Sequence, residues 1–457
     1  MKIHLIAIGG AVMHNLAMAL HQNGNSITGS DDEINSPSRE RLANLGILPS
    51  EMGWFPEKIT TDLDLVILGM HAKSDNPELL KAQELGLNIQ SFPEYIGTCY
   101  ANKTRVVVAG SHGKTTTSAM IAHILKACKK DFDYLIGSNI AGFDTMVSIT
   151  DAPIAIIEGD EYLSSALDRR SKFLHYFPDI AIITGIAWDH INVFPEFDQY
   201  VETFRLFIQS MQPNSHLFYY KNDDILEKLE SNVPSNAFAH SYSAFPHIIN
   251  KDGSLALLDS NNQAYNIHFF GKHNLENFHA AFLACRALNL SEIDILQAIA
   301  TFEGSGKRME LIVENAHFIS FLDFAHAPSK LKSTVEAVSA RYPDFNTIAV
   351  YELHTFSSLN PRFLHQYAHT MDLANYKIVY FNEHTLKMKN QAAISTEQLK
   401  QAFGDENICV CTNKNELEDL LNKMDKHNSV LLWMSSGNFG GMDVKKLSNS
   451  FAKELIK

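Results

Sequence analysis

Residues 104–126 constrain the fold of this chain more than any other stretch. Residues 104–109 (TRVVVA) are apolar enough for a short buried strand, the segment GSHGKTTT follows at 110–117, and apolar residues then recur at helical spacing up to Leu125. A strand, a glycine-rich turn and a helix start in this order bring backbone N–H groups and the positive end of the helix dipole together. The sequence therefore predicts a phosphate-binding loop.

Several groups of this loop have an expected task. Gly113 lets the backbone approach the ligand, Lys114 reaches the β- and γ-phosphates of a nucleotide, and Thr115 offers a hydroxyl to Mg²⁺. Val108 stands where the usual pattern has its first glycine, so the loop is shorter than that pattern, and a glycine-rich turn with a surface lysine is the alternative. The residues expected to bind the nucleotide are Gly110, His112, Gly113, Lys114, Thr115 and Thr116.

Length and composition limit the class of protein. A chain of 457 residues with 45% apolar residues is long enough for about three globular domains. The net charge of −14 argues against a nucleic acid or an anionic membrane as partner, but not against a small phosphorylated ligand. We expect a cytoplasmic protein in a reducing compartment, because the 5 cysteines are scattered and neither a signal peptide nor an apolar run of membrane-spanning length is present.

The N-terminal segment has a Rossmann-like pattern. An apolar strand is predicted at residues 2–8, followed by Gly9 and Gly10, a helix, and a second strand at 26–29 that ends close to Asp31. Asp31 stands about where such folds place an acid that binds a ribose. The dinucleotide fingerprint with three glycines is absent, so the pattern does not predict NAD.

Polar residues follow two further predicted strands. Glu158 comes directly after the strand predicted at 153–157, and His190 follows the one at 180–183. Because parallel strands end at the same edge of a sheet, these residues would lie beside the phosphate loop. Thr115 and Glu158 would hold one Mg²⁺, and His190 is the candidate ligand for a second. Solvated loop acids and a structural histidine are the alternative interpretation.

The second half of the chain contributes less specific signals. Asn274 and Asn277 precede a helix predicted at 280–288, where they could contact a base edge or cap the helix. Residues 304–307 have the composition of a hinge. Strands predicted at 318–322, 347–351, 377–381, 407–410 and 430–434 alternate with helices, which predicts a third α/β unit.

Six motifs together resemble the Mur ligase family, the ATP-dependent enzymes that build the peptide stem of peptidoglycan. They are GSHGKTT at 110–116, EGDE at 158–161, Asp189-His190, HNLEN at 273–277, Arg308 and DFAH at 323–326. The resemblance covers the whole chain. It implies an α/β protein with a Rossmann-like UDP-binding domain at 1–102, a central P-loop ATPase domain with a parallel sheet at 103–306, and a C-terminal Rossmann-like domain at 307–457.

The resemblance also implies roles for individual residues. Lys114, Glu158, His190 and Arg308 would be catalytic, with Arg308 on the γ-phosphate. Asn274 and Asn277 would face adenine, and Asp323 would lie near the ribose of ATP. The residues implied to bind the sugar nucleotide or the amine substrate are Gly9, Gly10, Asp31, Tyr162, His326 and His354.

Two sets of residues point to different amine substrates. Tyr162 with RSKF at 170–173, and SGNFGG at 436–441, resemble the members that join UDP-N-acetylmuramate to the recycled tripeptide L-alanyl-γ-D-glutamyl-meso-diaminopimelate. The segment ELHTFSS at 352–358 looks more like the members that add L-alanine to the same nucleotide. Ala327 stands where the family usually has a second histidine.

The expected function is therefore an ADP-forming ligase that makes an amide through an acyl phosphate, with ATP and Mg²⁺ as cofactors and the tripeptide as amine. L-Alanine is the alternative amine. Two other classes stay open, namely a folylpolyglutamate synthetase-like ligase, which would lack the UDP-binding domain, and a P-loop nucleotide-binding protein without ligase activity. Neither a nucleic acid nor a membrane is an expected partner.

Overall fold

A computed structural model describes residues 1–304, 306, 308–382, 385–386, 389 and 392–455. The chain divides into two compact units. The first comprises Met1–Ile186, Tyr200–Ser243 and Ala280–Ala298, and the second comprises Ala187–Gln199, Ala244–His279 and Ile299–Lys457. Both units contain largely parallel sheets with helices between the strands, so the predicted α/β class is confirmed. Among the described helices, none has the length and apolar character needed to cross a membrane.

The first sheet carries the turn at Gly9 and Gly10. Its strands are β1 (Lys2–Ile6), β2 (Ser26–Ser30), β3 (Leu65–Leu68) and β4 (Ile89–Ser91), all parallel in the order β2-β1-β3-β4. Its helices are α1 (Ala11–Gln22), α2 (Ser38–Asn44), α3 (Pro77–Glu84) and α4 (Phe92–Cys99), with a 3-10 turn at Pro56–Lys58.

Strand β1 is shorter than the predicted strand at 2–8. Ala7 has a φ of 66°, and its N–H donates to the carbonyl of Ser30 at 2.9 Å. Ile8 N–H donates to the same carbonyl at 3.2 Å. The chain therefore leaves the sheet before the glycines, which places the turn above the carboxyl end of β1.

The second sheet of the first unit carries the phosphate loop. Its strands are β5 (Thr104–Ala109), β6 (Phe132–Leu135), β7 (Val147–Ser148), β8 (Ile154–Glu158), β9 (Ile180–Ile183), β10 (His216–Tyr220) and β11 (Phe238–Tyr242). They lie in the order β11-β10-β9-β5-β8-β6-β7, and the β6–β7 pair is antiparallel. The helices and 3-10 turns are α5 (Lys114–Ala127), Lys172–His175, α6 (Phe197–Gln209), α7 (Asp224–Leu229) and Glu230–Asn232.

Strand order places the phosphate loop at the centre of this sheet. Strand β5 lies between β9 and β8 and pairs with both in parallel. The segments that follow these three strands consequently start at one edge of the sheet, as the sequence predicted. The strand interiors are fully buried, which agrees with their continuous apolar sequences.

The second unit contains two sheets. A small antiparallel sheet comprises β12 (His247–Ile249), β13 (Leu255–Leu258) and β14 (Ala264–Asn266). The larger comprises β15 (Glu310–Glu314), β16 (Phe318–Asp323), β17 (Asn346–Glu352), β18 (Tyr376–Tyr380), β19 (Cys409–Cys411) and β20 (Ser429–Met434), in the order β15-β16-β20-β17-β18-β19. Only the β15–β16 pair is antiparallel among these described strands.

Helices cover both faces of the larger sheet. Ala349 and Tyr351 of β17 face one apolar cluster, whereas Ile348 and Val350 face the other. This alternation is the period-two pattern of a strand buried on both faces. The remaining helices and 3-10 turns are α8 (Lys272–Ala287), α9 (Glu292–Ile299), α10 (Pro328–Arg341), Leu364–Tyr367, α11 (Thr396–Phe403), α12 (Lys414–Lys423), Phe439–Gly441 and α13 (Val444–Glu454).

Some predicted bounds were wrong. Helix α8 begins at Lys272 and not near residue 280, because polar residues at 272–277 hide the apolar period of its first turns. Strand β19 runs over Cys409–Cys411, not 407–410. Of the predicted hinge at 304–307, Ser305 and Lys307 lie outside the described residues.

One helix glycine marks a close contact in the first unit. A Cβ added to Gly97 of α4 would lie 2.3 Å from the carbonyl oxygen of His175, at the end of the 3-10 turn Lys172–His175. Glycine normally weakens a helix interior by about 1 kcal/mol relative to alanine. Here its lack of a side chain allows α4 to pack against the segment that follows β8.

We expect Gly97→Ala to destabilise the protein, opposite to the usual effect of this change in a helix. The added methyl group overlaps backbone, which moves less easily than a side chain, and such overpacking costs about 1–3 kcal/mol. The melting temperature measures this. Thr98→Ala, at the exposed neighbouring position, is the matched control and should change it little. A higher melting temperature for Gly97→Ala would contradict the contact.

Candidate active site

The phosphate loop connects the carboxyl end of β5 to the first turn of α5. Gly110 has a φ of 124°, and a Cβ at this position would lie 2.2 Å from Oγ1 of Thr184. Only glycine fits both the conformation and the space. Helix α5 begins directly after Gly113, so its first backbone N–H groups face the loop, which is the arrangement that binds phosphate in other proteins.

Lys114 is the charged centre of the loop. Its Nζ donates to the carbonyl oxygen of Gly110 at 2.6 Å and forms an ion pair with Glu161 Oε2 at 2.6 Å. Burial acts to lower the pKa of Lys114, but the neighbouring carboxylates, led by Glu161, outweigh it and raise the pKa. Lys114 is consequently protonated and available to negatively charged phosphates.

Thr115 and Glu158 are brought together as the sequence predicted. The Thr115 hydroxyl donates to Glu158 Oε1 at 2.7 Å, and the backbone N–H of Gly137 donates to Oε2 at 2.8 Å. Hydroxyl and carboxylate oxygens are the ligands that Mg²⁺ prefers. These residues therefore fit the metal ion that the loop pattern implies.

The sequence analysis missed Tyr200, which holds the acid of the loop in place. The Tyr200 hydroxyl donates to Glu161 Oε1 at 3.1 Å and lies 2.7 Å from the Ser111 hydroxyl. Tyr200 is fully buried, and Glu161 is only 1% exposed. Tyr200 lies on the amphipathic helix α6, where its spacing is that of an ordinary core residue, so no local signal identified it.

His112 and Thr116 lie at the same loop. The His112 carbonyl accepts a hydrogen bond from the Thr184 hydroxyl, which fixes the loop to the segment after β9. Both side chains are half-buried. Their expected role in nucleotide binding stays a prediction.

The glycine turn of the first sheet is bound to Asp31. Gly9 N–H donates to Asp31 Oδ2 at 2.7 Å, and Asp31 is 8% exposed. Burial raises the pKa of Asp31 to about 6, against the Gly9 hydrogen bond, which favours the ionised form. The predicted partners Gly9, Gly10 and Asp31 therefore form one group at the carboxyl ends of β1 and β2.

The remaining candidates belong to the second unit. Asn274 Nδ2 donates to the Phe270 carbonyl at 2.9 Å, and Asn277 Nδ2 lies 3.4 Å from Asn274 Oδ1. Both side chains are buried in the first turns of α8. The Asn274 hydrogen bond joins the first turn of α8 to the segment before it, and both interpretations, capping and a contact with adenine, stay predictions.

Asp323 and Arg308 make contacts with different partners. Asp323, at the end of β16, accepts from Met309 N–H at 2.9 Å and from the Thr334 hydroxyl at 2.8 Å. The Arg308 guanidinium lies 4.4 Å from the centre of the Phe324 ring. Their expected contacts with ribose and γ-phosphate stay predictions.

Two other candidates, His190 and His326, share Asp189 as a neighbour. His190 has a φ of 56°, and its N–H donates to Asp189 Oδ1 at 2.7 Å. His326 Nε2 lies 3.9 Å from Asp189 Oδ2. Burial acts to raise the pKa of Asp189. The neighbouring His190 and Lys330 outweigh burial, so the pKa of Asp189 is lowered overall. Burial lowers the pKa of His326, so this side chain is neutral near pH 7.

His354 follows β17 and lies beside a buried acid. Its Nδ1 is 3.9 Å from Glu352 Oε1. Glu352 Oε2 accepts from Phe439 N–H at 2.9 Å, in the loop after β20. The two segments that point to different amine substrates, at 352–358 and 436–441, therefore contact each other in one unit.

Comparisons with known proteins agree with this geometry. The Mur ligase middle domain matches residues 108–285, and the domain described as "Mur ligase family, catalytic domain" matches residues 2–104. Curated relatives include the UDP-N-acetylmuramate–L-alanine ligases of Limosilactobacillus reuteri, 29% identical with 99% of each chain covered, and of Clostridium kluyveri, 30% identical with 78% of each covered.

Two solved structures share the fold over the full length. A murein peptide ligase from Psychrobacter arcticus has a TM-score of 0.70 at 23% identity and covers 98% of this chain and 99% of its own. The alanine ligase MurC from Thermotoga maritima has a TM-score of 0.69 at 22% identity and covers 100% and 99%. At these identities the likeness extends to the fold alone.

A phosphate loop with a paired lysine and a threonine–glutamate pair, on an α/β fold with largely parallel sheets, defines a nucleotide-dependent enzyme. Together with the relatives, it shows that the chain belongs to the Mur ligase family. The chain is accordingly an ATP-dependent, ADP-forming amide ligase of peptidoglycan synthesis. This result favours the ligase interpretation over a nucleotide-binding protein without activity.

We expect Lys114→Ala to abolish ligation while the protein stays folded at a lower melting temperature, because Glu161 loses its counter-charge but keeps its hydrogen bond from Tyr200. Losing a cation beside the transferring phosphoryl group costs about 3–4 kcal/mol of transition-state stabilisation, or roughly 10²–10³-fold in turnover. Phosphate release during ligation measures turnover, and circular dichroism checks folding. The control is Lys130→Ala, an exposed lysine beyond the same helix. Near-normal turnover in folded Lys114→Ala would contradict the assignment.

Asp31 predicts a pH-dependent effect on stability. Because its folded pKa is raised to about 6, the folded chain holds this proton more tightly than the unfolded chain, and the resulting stabilisation is lost as the pH rises through 6. Asn is neutral at every pH and still accepts from Gly9. We expect Asp31→Asn to raise the melting temperature at pH 7.5 but hardly at pH 4.

The matched control for Asp31→Asn is Asp75→Asn, which removes an exposed carboxylate from the same domain. Its melting temperature should differ from that of the wild type by a similar small amount at both pH values. A stabilisation by Asp31→Asn that grows towards acid pH would show that the sign of the shift is wrong.

Proposed function

We propose that this chain joins the carboxylate of UDP-N-acetylmuramate to the amine of the tripeptide L-alanyl-γ-D-glutamyl-meso-diaminopimelate, with Mg²⁺ bound by Thr115 and Glu158. The observation that carries the ligase chemistry is the loop geometry, in which Lys114 is charged and the Thr115–Glu158 oxygens lie 2.7 Å apart. The named relatives act on the same sugar nucleotide, which supports UDP-N-acetylmuramate as the acceptor.

The proposed reaction has two steps. A carboxylate oxygen of the acceptor attacks the γ-phosphorus of ATP, the bond to ADP breaks, and an acyl phosphate forms. The amine nitrogen then attacks the acyl carbon, phosphate leaves, and the nitrogen gives up its proton to form the amide. Catalysis consists mainly of positioning and charge neutralisation. Lys114 neutralises the phosphates, and a bound metal ion would supply further positive charge.

The sugar nucleotide is proposed to bind the first sheet. The Gly9–Gly10 turn lies at the carboxyl ends of β1 and β2, which is where open α/β sheets bind nucleotides. Asp31, fixed by Gly9 N–H, is placed to meet a ribose hydroxyl. The proposal also divides the chain into three domains, at residues 1–102, 103–306 and 307–457. The boundary between the first two domains lies just before the start of β5.

The tripeptide is proposed as the amine because of the segment after β8. Residues 160–173 fold back on themselves, with an antiparallel bridge between Leu163 and Ser171. Arg170 is bound bidentately by Asp168 at 2.7–3.1 Å. Such an ordered, charged surface suits a peptide with several carboxylates better than a free small amino acid.

L-Alanine is the second candidate, because a separate observation favours it. The curated relatives reported above are named as L-alanine ligases. The segment at 352–358 also resembles those members, and Ala327 departs from the family pattern in a way that bears on the amine. Both candidates share the acyl-phosphate chemistry.

We expect a larger kcat/KM for the tripeptide than for L-alanine at saturating ATP and UDP-N-acetylmuramate. Contacts with the remote carboxylates of the tripeptide orient its reacting amine, which free L-alanine cannot gain. Phosphate release with each amine measures the ratio. The control is the wild-type enzyme without an amine. A larger value for L-alanine would move the chain to the sister activity, and turnover with neither amine would contradict the proposed function.

A further inference from the structure

A row of alternating charges extends from the phosphate loop towards the first sheet inside the first unit. Lys114 pairs with Glu161 at 2.6 Å, the carboxylate of the neighbouring Asp160 lies within 4.8 Å of that of Glu161, and Lys172 Nζ pairs with Asp160 Oδ2 at 2.6 Å. At the other end, the Lys172 ammonium lies 5.7 Å from the centre of the ring of Phe92, which begins α4 directly after β4. Lys172 therefore lies between the carboxyl end of β4 and the acids beside the phosphate loop.

The structure holds Lys172 in a fixed position. Its side chain is 9% exposed and lies 5.7 Å from the centre of the Phe92 ring and 5.8 Å from that of Tyr162. Its backbone N–H donates to the Tyr162 carbonyl at 2.9 Å. A lysine normally carries large rotational freedom, so this packing lowers the entropy cost of binding an anion.

The proposed reaction requires a cation near this position. The acceptor is held at the Gly9–Gly10 turn, and the phosphoryl donor is held at Lys114, so the acceptor carboxylate must lie between them. Like charges repel strongly at contact distance in a partly buried site. A carboxylate that approaches the γ-phosphate therefore needs a positive group of its own, in addition to the groups that bind ATP.

We propose that Lys172 binds the acceptor carboxylate of the sugar nucleotide. This inference rests on the proposed function and adds a positioning residue to it. Asp160 holds the ammonium group until the acceptor arrives. The side chain of Asp160 is 37% exposed, so it can turn towards solvent when the acceptor replaces it.

The test compares two ligands that differ at the acceptor group. UDP-N-acetylmuramate carries the lactyl carboxylate, and UDP-N-acetylglucosamine lacks it. Calorimetry on the full chain without ATP gives the Kd of each. We expect wild type to prefer the muramate, and we expect Lys172→Gln to lose about tenfold or more in affinity for it while its affinity for the glucosamine stays unchanged.

Two variants serve as controls. Lys73→Gln removes an exposed positive charge from the segment that follows β3 and should keep the preference. Lys172→Arg keeps the charge and should keep most of the preference. If Lys172 has a purely structural role, its replacement should weaken the binding of both ligands equally.

The outcomes separate this inference from the function on which it rests. If wild type binds UDP-N-acetylmuramate and Lys172→Gln keeps the full preference, the inference is wrong and the proposed function stands. The inference is also wrong, and the proposed function stands, if Lys172→Gln raises the KM for the tripeptide but leaves the affinity for both nucleotides unchanged. If wild type binds neither nucleotide, the proposed function itself is wrong and the inference falls with it. If Lys172→Gln does not fold, Lys172→Met, which keeps the aliphatic part of the side chain, takes its place, and a full preference for the muramate in that variant would overturn the role of Lys172.

Discussion

The ion pair between Lys114 and Glu161 is the interaction on which the candidate site depends. A lysine at the N-terminus of a helix would otherwise face the positive end of the helix dipole, and a carboxylate that is 1% exposed would lack a counter-charge. Each makes the burial of the other possible. When phosphate arrives, Lys114 can contact it, and Glu161 keeps the Tyr200 hydroxyl.

The segment from Glu158 to His175 links the two halves of the first unit. Its start binds the Thr115 hydroxyl, its middle folds back through the Asp160–Lys172 ion pair, and its end packs against Gly97 of the N-terminal domain. One stretch of chain therefore fixes the acceptor of the Thr115 hydroxyl, a buried cation and the contact with α4. A change anywhere in it is expected to affect both the phosphate loop and the packing of α4.

Local patterns identified the elements whose physics is local. The β5–loop–α5 unit was found because the apolar strand, the glycines and the helix start follow one another directly in sequence. The start of α8 was missed, because its first turns are polar and its apolar period appears only later. Tyr200 was missed for the opposite reason, since its partners Ser111 and Glu161 are far from it in sequence.

The sequence by itself determined the fold class, the phosphate loop and the Thr115–Glu158 pair, because strand ends and glycine turns are encoded by neighbouring residues. Only the tertiary structure decided which acid neutralises Lys114, which tyrosine holds that acid, and that Lys172 lies between the carboxyl end of β4 and the acids beside the phosphate loop. These facts follow from the strand order β9-β5-β8 and from the packing of α4 on the segment after β8. Side-chain partners across a sheet depend on distances that spacing along the chain does not contain.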